Sequence, residues 1–229
     1  MSCYRRDDMK TMKAMKAMKA MLIAAILVLF GMPPALASEK SVNITSTVKS
    51  VEVLHQGWKV SIERNPDPDN MVDPDYSLTS RPCPPYCIQP MQLAPGVETI
   101  GELELIDYLK QVGKDFMVLD SRDGDWPLRS GIIPGAVVIP WQELHPAHSD
   151  TEKIAETLVL RFGAARQGSL WNFENAKTLV LYCNGPWCGQ ASTNIKQLLA
   201  MGYPAHKLKW YRGGMQDWKI LGLSTVAPK

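Results

Sequence analysis

The sequence has 229 residues, which is enough for one well-packed domain with an extension and too few for a clearly multidomain protein. Its 25 Lys and Arg residues nearly balance its 23 Asp and Glu residues, for a formal net charge of +2 at pH 7. Beyond the N-terminal segment there is no stripe of Lys and Arg and no interleaving of aromatic and basic residues. The sequence therefore predicts no nucleic-acid partner.

The first 37 residues have the composition of a secretory signal peptide. Residues 1–20 include a repeated Lys-Ala-Met motif and six Lys or Arg residues, and residues 21–31 are almost wholly apolar. Ala35-Leu36-Ala37 is a small-x-small cleavage motif, so we expect cleavage after Ala37. The apolar run is far shorter than the ~20 residues of a membrane-spanning helix, which makes an uncleaved membrane anchor the less favoured alternative. We expect a periplasmic or secreted, slightly acidic protein with no stable membrane span after cleavage.

Residues 38–96 form an N-terminal extension in this prediction. Apolar and polar residues alternate over residues 49–54 and 58–64, on either side of a His55-Gln56-Gly57 turn, which predicts a small β-hairpin. Residues 65–85 are polar and rich in proline, a composition typical of a linker without helix or strand.

Four cysteines remain after the predicted cleavage, in two close pairs: Cys83 with Cys87, and Cys183 with Cys188. In an exported chain such pairs indicate either two disulfides or a redox function. A Cys83–Cys87 bridge would close a very short loop and contribute only ~2 kcal/mol, but it would pin a segment that has no regular structure. We expect this bridge rather than a zinc or redox role, because two prolines stiffen the loop and no second ligand pair lies nearby.

Two further groups have the residue types of a metal site. The four aspartates between residues 67 and 75 lack the glycine and the terminal glutamate of an EF-hand loop. His145 and His148 have the spacing of a ligand pair, but Pro146 disfavours a helix there and no third ligand is evident. We therefore predict solvated loops and no metal.

From residue 97 onward, helical and strand patterns alternate. The predicted elements are, in chain order, a helix capped by Thr99 and Glu102 and ended by Gly113, a strand at 116–119, a strand at 137–139, a helix capped by Ser149 and Glu152, a strand at 178–182, a helix ended by Gly202, and a short helix around Trp218. This alternation is typical of an α/β domain, here residues 97–229, whose parallel sheet carries helices on both faces. The working site of such a sheet lies beyond the carboxyl ends of its strands.

Cys183 stands at one of these strand ends, directly before a loop and a helix. The loop consists of Asn184, Gly185, Pro186, Trp187, Cys188 and Gly189. Free backbone N–H groups and the positive end of the helix dipole converge at such a turn and can lower a cysteine pKa from ~8.5 to roughly 3.5–7.5. We therefore predict that Cys183 is a reactive thiolate. Trp187 is interpreted either as a lid over the sulfur atom or as a residue that packs the loop.

Four short sequence blocks resemble motifs of the rhodanese family and follow one another in the family's order, over residues 97–226. They are Asp120-Ser121-Arg122 after a strand, the run 131–136 that reads Gly-Ile-Ile-Pro-Gly-Ala, Leu181-Tyr182-Cys183 with its loop, and Gly213-Gly214 with Trp218 and Gly222. The resemblance implies a rhodanese-like fold and a single-domain sulfurtransferase.

The resemblance also assigns roles. Cys183 would take a sulfane sulfur from a small donor, hold it as a persulfide and pass it to a thiophilic acceptor, which is a thiol, a cyanide-like molecule or a periplasmic protein. No metal and no organic cofactor is implied. Asp120 and Arg122 would support the loop structurally, with a catalytic role as the alternative. The backbone of residues 184–189 would cradle the persulfide anion through charge-assisted hydrogen bonds.

The sequence departs from the family pattern within the loop. The loop is longer than the compact rhodanese loop and contains no Lys or Arg, so a dianionic donor such as thiosulfate finds no point charge there. Gly189 stands where the related phosphatases carry an arginine for the phosphoryl oxygens, which disfavours that activity. Ile132 replaces the family's histidine, a scaffold position.

Cys188 lies within this loop and opens two alternatives to sulfur transfer. It would attack an oxidised or persulfidated Cys183 and leave a disulfide, which is the chemistry of a thiol-disulfide redox protein. A permanent structural Cys183–Cys188 bridge would instead lock the loop and leave no active thiol. A further alternative is a non-catalytic binding module, in which the rhodanese fold and the N-terminal hairpin together dock a periplasmic partner.

Overall fold

The computed structural model describes residues 41–113, 115–168 and 170–228. The predicted signal peptide, residues 1–37, lies outside the described residues. The strands are β1 (Ser50–His55), β2 (Trp58–Glu63), β3 (Glu98–Ile100), β4 (Phe116–Asp120), β5 (Ala136–Val138), β6 (Ala165–Gln167), β7 (Leu170–Asn172), β8 (Thr178–Tyr182) and β9 (Leu208–Tyr211). The α-helices are α1 (Pro74–Ser77), α2 (Glu102–Leu109), α3 (Trp126–Ser130), α4 (Thr151–Glu156), α5 (Gln190–Ala200) and α6 (Gly214–Ile220). A π-helical turn at Thr157–Arg161 continues α4, and 3-10 helices lie at Trp141–Leu144 and Ala205–Lys207.

Five parallel strands form the central sheet in the order β3-β9-β8-β4-β5. The central strand β8 is apolar from Leu179 to Leu181 because both of its faces are covered. Leu179 and Leu181 pack into a core with residues of α4 and α5, whereas Val180 and Tyr182 pack into a second core with residues of α2 and α6. The predicted parallel sheet with helices on both faces is confirmed.

The N-terminal hairpin is also confirmed, with β1 and β2 antiparallel from Ser50↔Glu63 to His55↔Trp58. Val53 and Ile62 are buried in the core that contains α2 and α6. The backbone N–H of Gly135 donates to His55 Nδ1 at 3.1 Å. The hairpin is thus packed onto the sheet domain by apolar contacts and hydrogen bonds.

Two predicted helix starts are wrong. Thr99 does not cap a helix but lies in β3, paired with Trp210, and its hydroxyl donates to the carbonyl of Met91. α2 begins at Glu102 after Gly101, whose N–H donates to Glu104 Oε2 at 3.1 Å. α4 begins after Asp150 rather than after Ser149. At Thr99, the pairing of β3 with β9 overrides the local capping pattern.

In the part of the chain that the structure describes, no helix combines the length and apolar character required to cross a membrane.

Candidate active site

The carboxyl ends of β4, β8 and β9 meet at one edge of the sheet, and Cys183 lies in the middle of this edge. Asp120 ends β4, Cys183 follows β8, and Arg212 follows β9. The N–H of Ser121 donates to the carbonyl of Tyr182 at 2.9 Å and continues the pairing of the two strands up to the site. The predicted location of Cys183 at a strand end is confirmed by this arrangement.

The Cys183 side chain is buried, with 3% of its surface exposed. Its thiol donates to the carbonyl of Cys188 at 3.2 Å. Burial raises the pKa of Cys183, but the Cys188 thiol and the backbone N–H groups of Ala191, Gly185 and Asn184 together outweigh burial and lower it. The arrangement therefore favours a thiolate at this position.

The N–H group of Ala191 belongs to the first turn of α5, beyond residues 184–189 of the predicted anion cradle. The first N–H groups of a helix have no intrahelical acceptor and are free to bind an anion. The cradle thus combines loop N–H groups with one from the helix.

Cys188 is the second buried thiol of the site, 5% exposed, and both cysteines are free. Burial and the neighbouring Cys183 raise the pKa of Cys188 well above its usual value. Its thiol points to Gln190 Oε1 at 3.7 Å. Cys188 is therefore the less acidic of the two thiols. Its proton points to Gln190 while Cys183 is protonated, and it would turn to the Cys183 sulfur once that sulfur is ionised.

Asp123 was not predicted and lies next to the Cys188 side of the loop. Gln190 donates to one of its carboxylate oxygens, and Trp141 and Gln142 donate to the other at 3.0 and 2.8 Å. Burial raises the pKa of Asp123, but the hydrogen bonds from Trp141, Gln190 and Gln142 bring it below its usual value. A carboxylate thus stands on this side of the loop.

Asp120 and Arg122 form a buried ion pair beneath the loop. Arg122 has no exposed surface, and its Nε donates to Asp120 Oδ1 at 2.8 Å. Burial lowers the pKa of Arg122, but the Asp120 charge more than offsets this and keeps the guanidinium ionised. Its other nitrogens donate to Ser130 Oγ at 2.7 Å and to the carbonyl of Gly131 at 2.7 Å. These contacts tie the end of β4 to the last residue of α3 and to Gly131 after it.

Tyr76 of the N-terminal extension connects this ion pair to the loop. Its hydroxyl accepts from Arg122 Nη1 at 3.1 Å and donates to Asn184 Oδ1 at 2.9 Å. Tyr76 is 2% exposed, and burial raises its pKa. The extension therefore reaches into the supporting network of the site, a contact across 108 positions that no local sequence pattern indicates.

We expect a Tyr76→Phe substitution to lower the free energy of unfolding by about 1–3 kcal/mol, because it leaves buried Asn184 and Arg122 groups with one partner fewer. Urea denaturation measures the change. Tyr86→Phe is the matched control, since in the described part of the chain the Tyr86 hydroxyl has no hydrogen bond, and it should change stability by less than ~0.5 kcal/mol. Equal effects of the two substitutions would contradict the network.

Trp187 packs the loop against the N-terminal extension. Its ring centroid lies 5.6 Å from that of Tyr86 and 6.3 Å from that of Trp126, and the Arg81 guanidinium carbon lies 3.8 Å from it. The indole N–H donates to Gln216 Oε1. These contacts are those of a residue that packs the loop, which is one of the two interpretations of Trp187.

A strap, residues 81–89, lies on the loop. The N–H of Gln89 donates to the carbonyl of Pro186 at 2.8 Å, and Ser192 Oγ donates to Gln89 Oε1 at 2.9 Å. Arg212 donates to the carbonyl of Gln89 at 2.9 and 3.2 Å. Cys83 and Cys87 lie within the strap with their Cα atoms 4.6 Å apart and their sulfur atoms at bonding distance.

Gly214, the first residue of α6, lies where this helix contacts the Cys183 loop. The N–H groups of Met215 and Gln216 donate to the carbonyls of Cys183 and Asn184, both at 2.9 Å. Gly214 has a φ of +58°, and a Cβ at this position would overlap the carbonyl oxygen of Cys183 and lie 2.8 Å from the nitrogen of Gly185. Only glycine allows this approach without a shift of the loop.

Solved structures similar to this chain have low sequence identity to it. A Rhodopseudomonas palustris protein, described as of unknown function and a possible tyrosine phosphatase, is 21% identical, with 57% of this chain and 85% of that chain covered and a TM-score of 0.42. The human single-domain sulfurtransferase is 22% identical, with 54% and 96% covered and a TM-score of 0.37. A thiosulfate sulfurtransferase from Pseudomonas aeruginosa is 18% identical, with 58% and 21% covered and a TM-score of 0.39.

None of the curated proteins is a significant match to the sequence. The family model of the rhodanese-like domain, however, matches residues 104–221, just over half of the chain. The matched range runs from α2 to the end of α6 and includes the strand ends, the Cys183 loop and its cradle. Because this family model matches more than half of the chain, the chain belongs to the rhodanese-like domain family.

Proposed function

We propose that the protein is a sulfurtransferase of the cell envelope, in which Cys183 carries a sulfane sulfur as a persulfide. The observation that carries the proposal is the environment of the Cys183 sulfur, which faces three backbone N–H groups and the Cys188 thiol in a buried site. These donors stabilise a thiolate, which is the form of cysteine that attacks a sulfur atom. They would stabilise a persulfide anion in the same way.

The reaction has two steps. The Cys183 thiolate attacks the sulfane sulfur of a small donor, the donor's bond to that sulfur breaks, and the leaving group departs with the electron pair. A thiol or cyanide-like acceptor then attacks the outer sulfur of the persulfide, and Cys183 leaves as a thiolate. Asp120 and Arg122 hold the strand end and, through Tyr76, Asn184 in place for both steps.

An envelope location is part of the proposal. It rests on the predicted signal peptide and on the closeness of Cys83 and Cys87, which would be bridged in an oxidising compartment. The bridge would hold the strap on the loop. A non-reducing peptide map of the protein purified from the envelope tests both points, since it shows the N-terminal residue and the state of each cysteine.

The test of the activity is a transfer assay with several sulfane donors and with cyanide or a small thiol as acceptor. We expect turnover by reduced protein without added metal or cofactor. If no donor supports turnover, or if turnover survives alkylation of Cys183, the proposal is wrong.

The neighbouring thiols of Cys183 and Cys188 favour one other function, that of a thiol-disulfide redox protein. We expect Cys188→Ser to keep sulfur transfer, because serine also provides a hydrogen-bond donor, whereas a redox protein would lose its activity.

Cys188→Ala removes that donor and distinguishes the two roles further. A donor to the charged form lowers a pKa, so its loss should raise the pKa of Cys183 and move the rise of the pH–rate profile to higher pH. Rates below the new pKa should then fall, while the plateau above it is retained. An unchanged profile would contradict the role given to the Cys188 thiol.

A further inference from the structure

The loop around Cys183 offers an anionic donor no positive side chain of its own. Residues 184–189 contain no Lys or Arg, and the Asp123 carboxylate, hydrogen-bonded to Gln190, stands on one side of the loop. Backbone N–H groups stabilise the sulfur anion, but they give a dianionic donor little additional charge compensation. A positive group for the donor must come from outside the loop.

Arg81 of the strap brings a positive charge to the opposite end of the loop, at Trp187. Its guanidinium carbon lies 3.8 Å from the centroid of the Trp187 ring and 5.8 Å from that of Tyr86. One terminal nitrogen donates to the carbonyl of Asp75, while Nε is buried and has no hydrogen-bond partner among the described residues. The stacking fixes the plane of the guanidinium.

The charge of Arg81 is not neutralised by a carboxylate in the part of the chain that the structure describes. Arg129 shows the contrast. Its guanidinium carbon also lies over an indole, that of Trp126 at 4.7 Å, but it pairs with Asp75 at 3.4 Å and with Asp125 at 3.5 Å. Of these two stacked arginines, only Arg81 has a positive charge that no carboxylate of the described residues pairs with, and this charge is available to an anionic ligand.

The strap is held so that Arg81 keeps this position. Its far end, Gln89, bonds to Pro186 of the loop, to Ser192 of α5 and to Arg212 after β9. The Cys83–Cys87 contact closes the chain between Arg81 and Gln89. An arginine placed by the N-terminal extension thus occupies a fixed place on the active-site loop.

We propose that Arg81 is a specificity-determining residue that holds the oxyanion end of an anionic sulfur donor while its terminal sulfur reaches Cys183. This inference rests on the proposed sulfurtransferase function. A planar guanidinium binds two oxygens of a sulfonate-like group at once, which suits it to a donor such as thiosulfate. The thiolate attacks the outer sulfur of thiosulfate, the S–S bond breaks, and sulfite leaves with the electron pair, so no further reactant is required.

Two measurements on the full mature chain test the proposal. In the first, thiosulfate binding to Cys183→Ser protein is measured by titration calorimetry, with and without Arg81→Gln. In the second, sulfur loading of intact Cys183 is compared by mass for two donors: thiosulfate, which leaves a persulfide as sulfite departs, and neutral dimethyl trisulfide, whose central sulfur is attacked with loss of methanethiolate and leaves a methyl trisulfide. Arg81→Lys keeps the charge, and Arg129→Gln is the matched control.

We expect Arg81→Gln to weaken thiosulfate binding about tenfold and to raise by the same factor the thiosulfate concentration at which loading of Cys183 is half-maximal, the effect of one lost charge-assisted contact. Loading by dimethyl trisulfide should change less than about twofold. Arg81→Lys should restore part of the binding, and Arg129→Gln should leave it unchanged.

The proposal is overturned if Arg81→Gln slows both donors equally, as loss of a merely structural contact would, if it affects neither donor, or if Arg129→Gln has the same effect. If thiosulfate binds in an Arg81-dependent way but no donor loads Cys183, the anion site stands and the sulfurtransferase function fails. If trisulfide loads Cys183 and thiosulfate does not bind, the function stands and Arg81 is not its specificity residue.

Discussion

Cys183→Ser protein is expected to lose sulfur transfer by at least about a thousandfold with every donor, because serine forms no persulfide and its hydroxyl is not ionised near neutral pH. Steady-state rates with cyanide as acceptor measure the loss. The fold should be unaffected, since the side chain is buried in a site whose hydrogen bonds a hydroxyl also satisfies.

The control for this result is the same substitution at the other thiol of the loop. Cys188→Ser protein should be as stable as Cys183→Ser protein and should retain transfer. Residual turnover in Cys183→Ser protein within about tenfold of the unchanged chain would mean that another group carries the sulfur.

Gly214→Ala is expected to have the largest effect on stability. The new Cβ would overlap the carbonyl oxygen of Cys183, and alanine would be held at a φ of +58°. The left-handed backbone costs about 1–2 kcal/mol and the overlap about 1–3 kcal/mol more. We therefore expect the free energy of unfolding to fall by about 2–5 kcal/mol, and sulfur transfer to fall as the loop shifts away from α6.

Gly168→Ala separates the two contributions to this effect. Gly168 has a φ of +61°, close to that of Gly214, but a Cβ there meets no atom within 4 Å. Its substitution should cost only about 1–2 kcal/mol and leave transfer unchanged. If both alanine variants lose equal stability by urea denaturation, the close contact between α6 and the loop does not stabilise the fold.

The sheet was predictable from sequence where a strand is a nearly continuous apolar run. β8 is a continuous apolar run and was found with its bounds, as was most of β4. β3 and β9 were missed because each is short and mixes polar with apolar residues, so that pairing with neighbouring strands defines them: β3 pairs with β9, and β9 also pairs with β8. The same pairing explains why Thr99 is a strand residue and not a helix cap.

Those parts of the site that depend on local sequence pattern were predictable. A cysteine between a buried strand and a helix, with glycine and proline in its loop, indicated Cys183 and most of its N–H cradle. The contacts of Tyr76 with Asn184 and of Arg81 with Trp187 join residues about a hundred positions apart, and nothing in either segment indicates the other. Asp123 also escaped prediction, because its partners Gln190 and Trp141 come from two other elements.

The central claim is that Cys183 carries the transferred sulfur. The most direct measurement is the intact mass of reduced mature protein after incubation with sulfane donors and removal of excess reagent, followed by peptide mapping. The account predicts a gain of one sulfur atom, located on the peptide that contains Cys183 and lost again on addition of cyanide. No gain with any donor, or a gain located on Cys188, Cys83 or Cys87 alone, would contradict it.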